Sequence, residues 1–199
     1  MEIKEENLLK ALNTGSETVK ETILALFPEL EEEMEEKTDM RPVTERIKTF
    51  EDACRELGES HPYVQTWNSI YQGGENDYDL ADHIAYMKLR IICAALNEGW
   101  APHFTEDEWR YYPWFWLYTE DEIENMDDDE KADRRLVSTG EYQTDYAGFA
   151  FASSFYAPSS AGATFGSRLC LKSDTLAVYC GKQFINIWVD FILTKKTIL

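Results

Sequence analysis

The sequence predicts an α+β protein, and three observations support this class. Apolar residues recur at helical spacing through most of the first hundred residues, which is typical of amphipathic helices. A run of aromatic residues at 111–118 follows, and aromatic side chains favour strands. A further helical pattern comes near the C-terminus, and helices grouped apart from a few short strands indicate the α+β class.

Four helical segments are expected before residue 100, around 18–27, 45–57, 62–71 and 78–97. Pro62 suits the first turn of the third segment, because the N–H that proline lacks is not needed there. A charge run and a Pro-containing boundary follow the first segment. We therefore expect an N-terminal helical element over residues 1–40 and an α+β domain over residues 41–199.

The rest of the chain predicts a small antiparallel sheet or hairpin packed with a long C-terminal helix. Pro113 lies within the aromatic run and indicates a strand edge or start. Large residues around Phe149 and again around Leu169 predict a hairpin whose turn lies at 157–160. Ser173 is expected to cap one helix running from about 174 to 193.

Charge excludes some partners and permits others. The net charge is −19, and its distribution is uneven: residues 1–60 contribute −9, residues 61–140 contribute −11, and residues 141–199 contribute +1. Direct binding of nucleic-acid phosphates is disfavoured over most of such a surface. A basic protein partner is permitted, although net charge bears first on solubility.

The expected cellular location is inferred from patterns that the sequence lacks. No apolar stretch has the length of a membrane span, and the N-terminus has no signal-peptide pattern. The four cysteines contain no Cys-x-x-Cys pair, which disfavours a zinc ribbon and indicates buried free thiols. The expected location is the cytoplasm of a bacterial host, or a virion, with no membrane contact.

Catalytic and metal motifs are weak. The three histidines are isolated in sequence, and pairing of His83 with Cys54 or Cys93 is an open alternative that only geometry can decide. Asp77, Asp79, Asp82 and His83 form the best candidate metal cluster, but their spacing departs from an EF-hand and a helix N-terminus explains the acids more simply. We therefore predict no catalytic residue, no metal and no cofactor.

The segment 144–170 is the most informative about binding. It contains no Lys, Glu, Gln, Met or Trp and is rich in Tyr, Phe, Ser, Gly and Ala. Recognition loops favour Tyr, Ser and Gly, although a packed Gly/Ala/Ser-rich strand pair explains the composition equally well. The sequence likewise does not decide whether Trp114 and Trp116 belong to the core, to a partner-binding surface or to a self-association surface. The predicted binding residues are Tyr146, Phe149, Phe151, Phe155, Tyr156, Trp114 and Trp116.

Five strings of the sequence are distinctive as a set, and they lie at 45–54, 95–100, 111–115, 166–173 and 179–184. Together they resemble a group of phage and mobile-element proteins of gut-dwelling anaerobic bacteria, a group with no assigned activity. The likeness covers roughly residues 42–193, and it implies no catalytic residue. In that group the stretch matching 140–165 varies within the same Tyr/Ser/Asp/Gly/Ala vocabulary, which implies a diversified recognition surface on a fixed scaffold.

Three functions compete at this point. The first is a non-enzymatic recognition or accessory protein that binds a protein partner through residues 140–165. The second is an acidic mimic of DNA that inhibits a host nucleic-acid-binding protein. The net charge of −20 over residues 1–140 supports it. The third is an enzyme whose cleft pairs His83 with Asp79 or Asp82. We rank them in that order, and the sequence leaves the partner and the oligomeric state open.

Overall fold

A computed structural model describes residues 8, 11, 17–28, 41–71, 80–103, 108–158 and 167–196. These residues form nine α-helices and a three-stranded antiparallel sheet, so the chain is an α+β protein, as the sequence predicts. Contacts divide the chain into two units, Met1–Pro42 and Val43–Leu199. None of the helices in the described residues is long and apolar enough to cross a membrane.

The first unit contains helix α1 (Glu17–Leu26), where the sequence predicts one. The second unit begins with α2 (Val43–Arg46) and α3 (Phe50–Leu57), which together replace the single helix predicted over 45–57. Thr49 caps the start of α3. Its hydroxyl accepts from the Asp52 N–H, and the Asp52 carboxylate accepts from the Thr49 N–H. This reciprocal cap satisfies N–H groups that a helix start leaves open.

Helix α4 (Pro62–Ile70) and helix α5 (Ala81–Leu96) follow, both close to their predicted positions. Pro62 occupies the first turn of α4, as expected. Most of α5 is buried, because α3, α4 and a helix near the C-terminus all pack against it. Helix α5 is therefore the centre of the helical layer.

The sheet has the strand order β1-β3-β2, with β1 (Trp109–Tyr118), β2 (Val137–Ser138) and β3 (Gly148–Pro158). β1 is an edge strand, which explains how Pro113 is tolerated in its middle. The predicted hairpin turn at 157–160 is wrong, because Ala157 and Pro158 continue β3 and pair with β1. The predicted second strand is wrong in its described part, since residues 167–169 form a 3-10 helix.

Two short acidic helices, α6 (Glu120–Asn125) and α7 (Asp128–Asp133), connect β1 to β2. Thr119 caps α6, and Asp127 caps α7. Because β3 lies between β1 and β2, this connection must pass across β3. It does so over the end where β3 begins, as the contact of Ile123 with Gly148 described below shows.

The C-terminal region forms two helices, α8 (Asp174–Gln183) and α9 (Ile185–Ile192), in place of the one long helix predicted. Ser173 caps α8 as predicted, its hydroxyl accepting from the Leu176 N–H. The break is at Phe184, whose φ of −111° and ψ of 28° leave the α-helical region while its side chain stays buried. Both helices pack on one face of the sheet, called here the helix face.

Candidate recognition surface

The seven predicted binding residues divide by exposure. Trp114, Trp116, Tyr146, Phe155 and Tyr156 are exposed, each with between 42% and 56% of its surface accessible. Phe149 and Phe151 are only 1% and 5% exposed. A monomeric protein seldom places several large aromatic side chains together in solvent, so the exposed group is the feature to explain.

Phe149 and Phe151 belong to the core, which corrects their assignment to a binding face. The Phe149 ring stacks on Phe115 with centroids 4.8 Å apart, and the Phe151 ring meets the same residue edge-on. Phe115 in turn contacts the fully buried Trp188 of α9 at 5.4 Å. These rings join the sheet to the C-terminal helices and are not available to a partner.

Five aromatic side chains at the other end of the β1–β3 pair form a continuous series of ring contacts, called here the aromatic array. Ring centroids are 5.0 Å apart for Trp109 and Tyr156, 6.4 Å for Tyr111 and Tyr156, 6.3 Å for Phe155 and Tyr156, and 5.8 Å for Trp114 and Phe155. Most of these pairs are edge-on or tilted, which the ring quadrupole favours. The array consists of Trp109, Tyr111, Trp114, Phe155 and Tyr156.

Strand pairing places the array on both faces of the sheet. Tyr111 pairs with Tyr156, and paired residues of an antiparallel sheet project from the same face. Tyr112 pairs with Phe155, so Phe155 and Trp114 project from the opposite face, called here the outer face. The stacked rings of Phe155 and Tyr156 connect the two sets at the end of β3.

A β-bulge decides which phenylalanines are exposed. The register passes from Trp114 paired with Ser153 to Phe115 paired with Phe151, which leaves Ala152 as an extra residue on β3. An extra residue reverses the alternation of side chains beyond it. Phe151 therefore faces the helices, whereas Phe155, four residues later, projects from the outer face.

The end of β1 that bears the array is held by backbone and side-chain hydrogen bonds. The Tyr111 N–H donates to the Leu171 carbonyl at 3.0 Å, and the Leu171 N–H returns a bond to the Tyr111 carbonyl at 2.9 Å. Buried Asn97 fixes the same segment, donating to the Cys170 carbonyl and accepting from the Lys172 N–H. On β3, the Ser154 hydroxyl donates to Asp174 at the start of α8.

Buried polar groups lie beneath the array. Burial raises the pKa of the Tyr112 hydroxyl to about 12, and burial raises the pKa of the neighbouring Cys170 thiol to about 11. The charge of buried Arg110 lowers both values, so its guanidinium lies near both groups. The array thus rests on a well-packed base, and its exposed rings do not reflect a loosely folded strand.

Trp116 and Tyr146 lie apart from the array in different ways. Trp116 follows Trp114 by two residues on the outer face and pairs with buried Ala150. Tyr146 precedes β3, and its carbonyl accepts from the buried Thr139 hydroxyl. It therefore lies at the opposite end of β3 from Phe155, at least about 20 Å away at the usual rise of a strand.

The described residues assemble no catalytic group from the sequence candidates. The His83 ring contacts the Tyr71 hydroxyl, with His83 Nδ1 and Tyr71 Oη 3.0 Å apart, whereas the Asp82 carboxylate accepts from the His83 backbone N–H and not from its ring among the described residues. A hydrogen bond with the Cys180 thiol, together with burial, raises the pKa of Cys93 well above its ordinary value. Burial raises the pKa of Cys54 to about 11, so neither thiol is activated as a nucleophile.

The metal candidates are only partly within the described residues. Asp77 and Asp79 lie outside them, so the predicted cluster of four is not tested. Among the residues that are described, no group of three or more His, Cys, Asp or Glu side chains is arranged to hold a metal ion.

Sequence reasoning missed two members of the array, Trp109 and Tyr111. The first strand is predicted to begin at residue 111, which leaves Trp109 outside the predicted sheet. The signal that finds it is the alternation through Trp109, Arg110 and Tyr111, where an apolar, a charged and an apolar residue continue the strand pattern backwards.

No protein-family model matches this sequence, and comparisons with curated proteins and with solved structures found no similar chain. The resemblance to phage and mobile-element proteins therefore stays a prediction from the sequence strings alone. Functional inference rests on the chemistry of the surface itself.

Proposed function

We propose that this chain is a non-enzymatic protein-binding module whose recognition surface is the aromatic array with the adjoining Trp116. The observation that supports this most strongly is the exposure of Trp109, Trp114, Phe155 and Tyr156, at 42% to 56% each, in one series of ring contacts. Trp and Tyr dominate the energetic centres of protein interfaces, because large rigid rings bury much surface at little entropic cost.

The array is presented by a rigid scaffold. β1 and β3 pair along their whole described length, and the base of the array is tied to α5 through Asn97 and to α8 through Asp174. A partner therefore meets rings that are already ordered, and little conformational entropy is lost on binding. This distinguishes the surface from a mobile loop that happens to contain aromatic residues.

The open edge of β1 favours an extended segment as the bound element. The Tyr111 N–H and carbonyl point away from β3. By alternation the carbonyls of Pro113, Phe115 and Leu117 point to that same edge with the N–H groups of Phe115 and Leu117, whereas Pro113 has no N–H to donate. In the described residues no strand pairs with this edge beyond Tyr111. A peptide strand can add there, as in other sheet-edge recognition modules, with Trp114 and Trp116 beside it.

A random 12-residue peptide library displayed on phage tests the proposal. Selections are run on the wild type and on the double variant Trp114→Ser/Phe155→Ser, whose mutated side chains are both exposed. We expect peptides that bind the wild type and lose about 30-fold or more in affinity with the double variant, since truncating an interface anchor costs 2 kcal/mol or more. Circular dichroism must show the same helix content for both proteins.

The matched control is Tyr146→Ser, which removes an equally exposed ring at the far end of β3. It should leave peptide affinity unchanged. Equal loss with Tyr146→Ser, or no peptide sensitive to the double variant, would overturn the proposal. A dimer of the wild type that the double variant disperses would show self-association instead, and array-dependent binding of the oligonucleotide dT20 would show a nucleic-acid surface.

A further inference from the structure

The geometry points to a lysine- and arginine-rich protein segment as the partner, bound along the open edge of β1 with its cations over Trp114 and Trp116 on the outer face. This inference rests on the proposed function and specifies the chemistry of the same surface. It is drawn from the position of the acidic connection between β1 and β2 relative to the two tryptophans.

Helix α6 lies on the same face of the sheet as the two tryptophans. Gly148 pairs with Tyr118, and a Cβ built at Gly148 would lie 2.7 Å from the Cδ1 atom of Ile123 in α6. Gly148 and Ala150 share one face by alternation, and Ala150 pairs with Trp116. Ile123 therefore covers the outer face beside Trp116, about two residues or 7 Å further along β1.

The connection that α6 and α7 form is strongly acidic. Residues 119–135 contain nine acidic and three basic side chains. Some carboxylates are already engaged: Glu122 in the α6 cap, Asp127 in the α7 cap, Glu130 with Arg134, and Asp133 with Lys182.

The remaining carboxylates are exposed and make no ion pair within the described residues. They belong to Glu120, Asp121, Glu124, Asp128 and Asp129. Negative charge is thus uncompensated beside an exposed aromatic surface, and both features select the same ligand chemistry.

Indole faces and carboxylates each attract a cationic side chain. A Lys or Arg over a tryptophan face is held by the ring quadrupole, and the apolar stem of the same side chain covers the ring. An extended segment advances by about 3.3 Å per residue and its side chains alternate between the two faces, so cations two residues apart, about 7 Å, reach Trp116 and α6 together. An acidic or phosphorylated partner would instead meet the uncompensated carboxylates.

The same peptide selection tests this inference through a second readout, the Lys and Arg content of array-dependent peptides. Affinities of those peptides are measured by fluorescence polarisation with the wild type, with Glu120→Gln/Asp121→Asn/Glu124→Gln, and with a charge-matched control. The control, Glu45→Gln/Glu51→Gln/Glu59→Gln, removes three exposed negative charges from and around α2 and α3 and makes the net charge less negative by the same amount.

We expect enrichment in Lys and Arg, a loss of about tenfold with the α6 triple variant at 50 mM NaCl, less than twofold with the control, and weaker binding at 300 mM. Array-dependent peptides without this enrichment would overturn the inference and leave the proposed function standing. Equal loss with both triple variants, or loss with neither, would overturn it too. Absence of any array-dependent peptide would remove both proposals.

Discussion

Gly181 in α8 lies directly against Pro113 in β1. A Cβ built at Gly181 would lie 2.8 Å from the Pro113 Cβ and 2.6 Å from Cδ2 of the Phe151 ring. Both neighbours are buried, and the approach allows α8 to pack close to the sheet. The helix face of the sheet is thereby fixed at the point where the edge strand carries its proline.

The methyl added by Gly181→Ala is expected to overpack the contact with the sheet at a cost of about 1–3 kcal/mol, and the net effect is destabilising. This cost outweighs the roughly 1 kcal/mol that alanine gains over glycine inside a helix. Urea unfolding followed by circular dichroism measures the difference. Gly140→Ala is the control, because its Cβ would meet only the Ser138 hydroxyl at 3.6 Å. Stabilisation by Gly181→Ala would show that α8 packs further from the sheet.

Asn97→Ala is expected to cost about 1–3 kcal/mol, since a buried carbonyl and a partly buried N–H lose their partner. Its amide donates to the Cys170 carbonyl at 2.9 Å and accepts from the Lys172 N–H at 3.0 Å. Thermal unfolding measures the loss. The exposed Gln143, which donates to the Lys195 carbonyl at 3.3 Å, provides the control substitution Gln143→Ala. Equal effects of the two substitutions would contradict a structural role for Asn97.

Phe149→Ala and Phe155→Ala should differ sharply in their effects on stability. Removing the buried Phe149 ring is expected to cost about 3–5 kcal/mol. Removing the exposed Phe155 ring should change the free energy of unfolding by about 0.5 kcal/mol or less. Chemical unfolding of the two variants in parallel measures this. A large loss with Phe155→Ala would place that ring in the core and remove it from the recognition surface.

Stability should fall as the pH rises above about 10, the ordinary tyrosine pKa. Burial raises the pKa of Tyr142, with help from its hydrogen bond to Asp190, and burial raises that of Tyr179 to about 12. A raised pKa means that the folded state holds the proton longer than the unfolded state. The stabilisation is therefore fully present below pH 10 and is lost progressively as the pH rises above 10.

Urea midpoints measured from pH 8 to 11, with tyrosinate absorbance at each pH, test this expectation. The double variant Tyr142→Phe/Tyr179→Phe should be less stable at pH 8 but should lose stability less steeply above pH 10. The thiols of half-buried Cys54 and buried Cys170, whose pKa values burial raises to about 11, add a loss of stability from about pH 9 in both proteins. Identical slopes for the two proteins would contradict the assignment.

Local chemistry determined the helix starts that the sequence predicts. Pro62 lies in the first turn of α4, where its missing N–H is not needed, and the Ser173 hydroxyl accepts from an N–H three residues away at the start of α8. Such signals need no information from distant parts of the chain. The α+β class and the aromatic strand β1 follow for the same reason, because periodicity and composition are local properties.

Tertiary structure decided which strand pairs with β3, where the C-terminal helix breaks at Phe184, and which of the predicted binding residues are exposed and which are buried. Phe149, Phe151 and Phe155 are separated by even numbers of residues, so alternation alone places all three on one face. The bulge at Ala152 reverses that pattern and leaves only Phe155 exposed. A bulge depends on the pairing with β1, more than thirty residues away in sequence. The sequence by itself therefore determined which residues are aromatic and strand-forming, and only the fold determined which of them face solvent.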